Sequence, residues 1–314
     1  MFEIGPDTDL VKAVANPTAK AIRYLPAGSI VGIDCGFLDQ AQPHAGTGTP
    51  IPEWIAEQLD ASAIGMVPVA RPNDDAGVLR SLSRAARRLP EPEAYVRLGD
   101  DDTIPAPIAS ADLSRLQRSL RLGRDRIHLI LDYRSVANRR AAAAYATAAQ
   151  SVITWASAAG PWASITLAGG AFPESISDLP TGRATPVQRW DAQLWSDVSA
   201  TGLDVDFGDY GVSHPALATG GRAPLPNLRY THDDTWQVWR EKKARPGNES
   251  FFTLAHRVVA HPAYGGAACC WGDSELHRCS RSAGGAGTAT QWRAYGTSHH
   301  LTTVVHRLAT LGAP

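Results

Sequence analysis

The chain has 314 residues, of which 44% are apolar, enough for one large core or two modest ones. Its 30 basic and 31 acidic side chains leave a net charge of −1. That balance excludes a generally basic nucleic-acid binder and a protein driven by an acidic tail. Four cysteines, Cys35, Cys269, Cys270 and Cys279, are too few to staple a chain of this length.

The opening Met1-Phe2-Glu3-Ile4-Gly5-Pro6-Asp7 carries Glu and Asp and no apolar core, so it does not read as a signal peptide. No apolar run approaches the roughly 20 residues that span a bilayer. A cytoplasmic location without membrane partners is the expectation. From Ile30 onward two periods alternate. Short β-rich runs occur at Ile30–Cys35, Ile64–Val69, Ala94–Leu98, Ile127–Asp132, Ser164–Ala168 and Leu203–Phe207. Between them, Val78, Leu79, Leu82, Ala86 and Leu89 share a helical face, as do Leu113, Leu116 and Leu120. Ala141 to Ala158 is alanine-rich and helix-prone, and Val187, Trp190, Leu194 and Val198 recur at helical spacing. This rhythm predicts a parallel sheet with helical crossovers.

Two parallel-sheet forms compete, a doubly wound open sheet and a barrel. The turn Asp34-Cys35-Gly36-Phe37 lacks the G-x-G-x-x-G pattern of a dinucleotide-binding open sheet. Strand parity favours a barrel. Ile127 to Asp132 has one apolar face and a second carrying His128 and Asp132, Tyr95 and Arg97 share a face, and aspartates alternate through Leu203 to Phe207. Open parallel sheets are usually apolar on both faces, whereas barrel strands can aim polar groups inward near their C-terminal ends. The expected fold is therefore α/β, a TIM-like (β/α) barrel over 1–314, with an atypical N-terminal segment at 1–29 and extra C-terminal strands and helix. An inserted loop with short strands is expected at 215–250.

In the last third, Asn227–Thr231 and Thr235–Arg240 read as strands, Lys242 to Ser250 as a polar loop and Phe251 to Ala260 as a helix. Ala267–Trp271 reads as a short strand. A final helix is expected from Ser298, with Leu301, Val304, Val305, Leu308 and Leu311 on its apolar stripe.

Polar residues at the C-terminal ends of barrel strands are the site candidates: Asp34, Arg71, Arg97, Asp132, Asp206, Arg229 and Asp273. Asp209 follows in a loop. Asp206 and Asp209 could act as general bases or hold a divalent metal, since hard cations take oxygen ligands; Asp209 could equally close a turn. His299 and His300, read as opening the last helix, would suit an anion at its positive end. Arg229 with Tyr230, and Arg293, add cations beside aromatics for carboxylate or phosphate. The helix face Arg80, Arg84, Arg87 and Arg88 reads as solvated. There is no G-x-x-x-x-G-K-[ST], H-E-x-x-H or G-x-S-x-G, and the cysteine spacing does not match a structural zinc site.

A series of motifs then comes in order. It runs Ala168-Gly169-Gly170-Ala171-Phe172-Pro173, Arg189-Trp190-Asp191 with Trp195, Phe207-Gly208-Asp209-Tyr210, Arg229-Tyr230-Thr231, Trp271-Gly272-Asp273, Trp292-Arg293 and Gly296-Thr297-Ser298-His299-His300. In this order the series resembles the beta protein family of bacteria and phages, over roughly residues 30 to 310. The resemblance implies links to phage biology and no assigned activity. It also implies a further N-terminal strand and helix, which Met1 to Ala27 does not match, leaving a barrel incomplete at its N-terminus.

Two functions follow as expectations. One is a hydrolase-like enzyme acting on a phosphate-containing or anionic small substrate at the C-terminal face of the barrel. Asp206, Asp209, His299 and His300 would be catalytic, with Asp34, Arg97, Asp132, Arg229, Tyr230, Asp273 and Arg293 binding substrate. The alternative is a non-catalytic ligand-sensing or interaction protein of phage–host conflict, whose polar groups are already paired. Nucleic acid is disfavoured as a partner.

Overall fold

The computed structural model describes residues 1–5, 9–38, 43–44, 47–100, 103–216, 225–242 and 248–314. The expected connections at 215–226 and 242–250, and the opening through Asp7, fall partly outside these residues. The described chain forms two compact units. The first comprises Met1–Asp132, Ala148–Leu167 and Leu203–Asp206; the second comprises Tyr133–Thr147, Ala168–Gly202 and Phe207–Pro314.

Strands and helices alternate through the first half. They are β1 (Phe2–Glu3), α1 (Leu10–Tyr24), β2 (Ile30–Asp34), α2 (Ile51–Asp60), β3 (Gly65–Ala70), α3 (Ala76–Ala86), β4 (Ala94–Leu98), α4 (Ser110–Leu120), β5 (Ile127–Ser135) and α5 (Arg139–Ala159). Next come β6 (Ser164–Gly170), β7 (Ala184–Gln188), α6 (Trp190–Ser199) and β8 (Asp206–Asp209). The chain ends in the hairpin β9 (Asn227–His232) and β10 (Thr235–Arg240), then α7 (Ser250–Val259), α8 (Trp271–Ser280) and α9 (Ala289–Leu311).

One sheet has the order β1-β2-β3-β4-β5-β6-β8, and β1 to β5 pair in parallel. Space order follows chain order without reversal. That is the single winding of a β/α barrel, not the doubly wound pattern with its reversal of strand order. Among the described residues no pairing joins β8 to β1, so the sheet is an open part of a barrel and not a complete one. The second sheet, β7-β10-β9, is antiparallel. Among the described residues no helix is long and apolar enough to cross a membrane.

In the first unit α1 and α2 cover β1 to β3 with a core of Ile4, Val14, Val31, Ile33, Ile51, Ile55 and Leu59. The arginine face of α3 is exposed as expected, with Arg84 on Glu53 and Arg88 on Glu57 and Asp60. In the second unit α7, α8 and α9 pack with the hairpin around Leu228, Tyr230, Trp239, Phe251, Leu254, Leu276, Trp292 and Tyr295.

Four local expectations are corrected. Val187 lies not on a helix but on β7, opposite Trp236; β7 is an edge strand, which is where Pro186 can sit without a ladder N–H. Ala267–Trp271 is a turn after Gly266, whose φ is +91°, and Trp271 starts α8. The run expected at Leu203–Phe207 pairs only from Asp206 on, so Asp206 begins β8 and does not end it. Finally, α9 begins at Ala289, not Ser298, with a capping box between Thr288 and Gln291.

Gly296 sits inside α9, and only glycine fits there, since a Cβ would overlap the carbonyl oxygen of Arg229 on β9. The buried face of α9 is Trp292, Tyr295, Gly296, His299, His300 and Val304, while Leu301, Val305 and Leu311 are exposed.

Candidate functional site

In the first unit the strand ends converge as the barrel rule expects. The β1–β2 register sets Glu3 beside Asp34. Arg71, just past β3, donates Nη1 and Nη2 to Asp34 Oδ1 and Oδ2 at 2.8 and 2.9 Å. Arg97, 2% exposed on β4, reaches Asp34 and Glu3 through Nη1 and Asp132 through Nη2, each at 2.5 Å. Burial opposes ionisation of Asp34, but Arg71 and then Arg97 outweigh it and hold the carboxyl below its usual value. A cavity of about 490 Å³ lies against Arg71 and Arg97, walled by Pro72, Asn73, Gly99, Thr103 and Asp112. Gly99, at φ +89°, admits the backbone of Asp132, which a Cβ would overlap. Both guanidinium groups already face carboxylates, so this cavity offers an anion little uncompensated positive charge.

In the second unit the two adjacent histidines lie in the middle of α9 and point to different carboxylates, because neighbours on a helix diverge by about 100°. His299 Nδ1 is 2.7 Å from Asp273 Oδ2, and its Nε2 is 2.9 Å from the Thr231 carbonyl. His300 Nε2 is 2.7 Å from Asp209 Oδ2, and its Nδ1 is 2.7 Å from Thr231 Oγ1. Thr231 thus serves both rings. Tyr230 donates its hydroxyl to Asp273 Oδ1 at 2.7 Å and stacks on His299, with ring centroids 3.6 Å apart. Cys270 Sγ caps α8 by accepting from Asp273 N and lies 3.1 Å from Asp273 Oδ2. Burial works against the Asp273 carboxylate, yet its hydrogen bond and charge pairing with His299 hold its carboxyl below the usual value. Burial, then Asp273, pushes the Cys269 thiol up to about 11.

Behind His300, Arg189 is fully buried. Its Nη2 lies 3.5 Å from Asp191 and 3.6 Å from Asp209, and it faces the rings of Trp236 and Phe207. Burial pushes the Asp191 carboxyl up to about 6, with Arg189 opposing and Asp209 adding to the rise. Burial also disfavours the Asp209 carboxylate, but His300 and Arg189 hold its carboxyl low. Asp209 Oδ1 accepts from Gly211 N as well, the turn closure its sequence context allowed.

Arg229 on β9 and Arg293 near the start of α9 form a third group. Burial and the nearby Arg293 lower Arg229 to about 10. Arg229 lies 4.1 Å over the Phe172 ring and donates Nη1 to the Val212 carbonyl at 2.5 Å. Its Nε has no hydrogen-bond partner among the described residues. A cavity of about 20 Å³ lies between them, bounded also by Asn227, Trp292 and Ala289, the first residue of α9. Among the described residues no carboxylate forms an ion pair with either arginine.

The family described as Beta protein matches residues 1–306. The chain belongs to that family. Comparison with curated proteins and with solved structures gives no match.

The match to the Beta protein family runs from residue 1, so it is wider at this end than a resemblance over 30 to 310 and takes in β1 and α1. Of the residues picked from sequence, Asp34, Arg97 and Asp132 come together. So do Asp209 and His300; Tyr230, Asp273 and His299; and Arg229 and Arg293. Asp206 is exposed, and the alternation along β8 sets it on the opposite face from Asp209. Asp273 is the third residue of α8 and not a strand end, and the histidines do not meet a helix N-terminus. Glu3, Arg189, Asp191 and Thr231 were not picked as site residues. Arg189-Trp190-Asp191 and Arg229-Tyr230-Thr231 stand among the family motifs, and that is the signal for three of them. Glu3 carries no signal until β1 is paired.

Proposed function

We propose that the protein is a hydrolase-like enzyme whose small substrate carries a phosphate or similar anionic group, held between Arg229 and Arg293. The supporting observation is the pair itself, two neighbouring guanidinium groups without a carboxylate partner among the described residues. Buried Arg97 and Arg189 face acids; at half-buried Arg229 and exposed Arg293 the positive charge has no acid beside it and lies near the first turn of α9, whose N–H groups also favour an anion. The small cavity between the two has room for about one water-sized group, such as a phosphate oxygen. Polar groups stand close by along the chain: Tyr230 follows Arg229 on β9, and His299, paired with Asp273 of α8, lies further along α9.

A second reading, a non-catalytic ligand sensor or interaction protein of phage–host conflict, is favoured by one observation. Asp209, Asp273, His299 and His300 are each already hydrogen-bonded to protein partners. Calorimetric titration of the purified chain with inorganic phosphate, a nucleotide and a phosphodiester, followed by assay of phosphate release, separates the two. Binding that Arg293→Gln weakens by about tenfold or more, the worth of one charge-assisted hydrogen bond, together with turnover, supports the enzyme. Binding without turnover supports the sensor. Absence of binding, or unchanged binding in the variant, overturns the anion site and with it the enzyme and the anion sensor, and leaves the interaction protein.

A further inference from the structure

We propose that Cys269, Asp273 and His299 form a binding site for a divalent transition metal, with zinc the best fit. Their ligand atoms, one sulfur, one carboxylate oxygen and one ring nitrogen, lie within 4.8 Å of one another. Among the described residues this is the group of three with that property, and it does not include Asp206 or Asp209. The proposal stands on these ligands alone and does not depend on anion binding at Arg229.

The surroundings fit a metal site better than a chance meeting of polar groups. Metal-bound histidine characteristically donates its other ring N–H to a carbonyl or carboxylate, which fixes ring orientation. His299 Nε2 is so placed, 2.9 Å from the Thr231 carbonyl, leaving Nδ1 toward Asp273. The Asp273 carboxylate is held in the same way: Tyr230 donates to Oδ1, leaving Oδ2 toward His299. In both His299 and Asp273 one atom is anchored and the other is turned toward the partner ligand. The 2.7 Å between His299 Nδ1 and Asp273 Oδ2 must open by less than about 1 Å to accept an ion at zinc bond lengths.

The donor set chooses the metal. A thiolate with imidazole and carboxylate favours zinc over calcium or magnesium, which prefer all-oxygen shells. Cys270 is committed to capping α8, so Cys269, which is exposed, is the sulfur that can turn to the ion. On binding, the Cys269 thiol proton and the Nδ1 proton leave to solvent, and the ion takes their place. Three protein ligands, one of them at the surface, leave a fourth position facing water, the arrangement of catalytic rather than structural zinc.

The test uses the full chain. After dialysis against limiting Zn²⁺, the wild type should retain one ion per chain by mass spectrometry of metal content. With Co²⁺ in its place, a thiolate-to-metal charge-transfer band should appear. Cys269→Ser should lose that band and weaken Zn²⁺ binding, read by competition with a chromophoric chelator, by at least about 100-fold, and Tyr230→Phe should weaken it by about 10- to 100-fold. Because Cys269 is exposed, its serine variant should melt with the wild type when both are metal-free, which separates ligand loss from misfolding. A wild type that retains no Zn²⁺, or a Cys269→Ser variant that holds it as tightly and keeps the cobalt band, would overturn the site.

Discussion

Replacing Asp191 with Asn should stabilise the protein at neutral pH. Asp191 is 2% exposed, its Oδ1 has no hydrogen-bond partner among the described residues, and its nearest cation, Arg189 Nη2, is 3.5 Å away. Desolvation therefore outweighs attraction and raises the carboxyl from 3.8 to about 6. An acid raised in the folded state stabilises the fold fully below its unfolded value, and that contribution fades as pH rises through the folded one. The displacement, a little over two pH units, corresponds to about 3 kcal/mol of stability absent at pH 7. Asn has the shape of the protonated acid and carries no charge to desolvate. The gap between variant and wild type should thus be close to zero below about pH 4 and widen to about 3 kcal/mol by pH 7. Urea unfolding followed by tryptophan fluorescence across this range reads it directly. A variant less stable than wild type at neutral pH would refute the reasoning, since it would mean that the Arg189 pairing is worth more than the burial of Asp191 costs.

Gly296→Ala should lose about 2 kcal/mol in thermal unfolding, although alanine alone favours a helix by about 1 kcal/mol, because the added methyl must push α9 off the Arg229 carbonyl; an unchanged melting point would contradict that contact. Arg97→Met should cost about 3–5 kcal/mol at pH 7, because Asp34, Asp132 and Glu3 then lose a shared buried cation. Asp34 is held low in the fold, so its contribution is present above the unfolded pKa and is lost as pH falls through the folded one. The penalty of Arg97→Met should accordingly shrink on acidification, and a penalty independent of pH would show that Arg97 acts through packing alone.

The parallel half of the fold was legible because its signals are local and repeated. Each strand from β2 to β6 was anticipated at its start to within a residue, and the polar parity of β4 and β5 pointed to Arg97 and Asp132, which do meet. β8 was harder, since its aspartates alternate before pairing begins. The C-terminal unit resisted for a different reason. Cys269-Cys270-Trp271 has the β propensity of a strand, but Gly265-Gly266 before it and the Cys270 cap turn the chain into a helix. Gly296 has the propensity of a helix end, and only the approach of β9 explains why a glycine stands inside one. Asp209 and Asp273 could be picked by type, yet their partners, His300 and His299, lie 91 and 26 residues further on. Such pairings depend on tertiary placement that no spacing rule carries. Strand parity points to a barrel over a doubly wound sheet, but parity reports which face of a strand is polar, not whether the two outer strands join.

The consecutive histidines of α9 also have a mechanical consequence. Each ring is tied to β9 through Thr231, and each reaches a separate acid about 100° around the helix axis from the other. Two pins set at different azimuths remove two freedoms together: α9 can neither roll about its axis nor slide along β9 without breaking both. Gly296, one turn earlier, brings the two backbones close enough that no slack remains. Strand and helix therefore form a single splint, and any shape change within this unit must carry both as one piece, with its hinge in the 281–288 connection ahead of α9 or beyond the Asp233-Asp234 turn that follows β9.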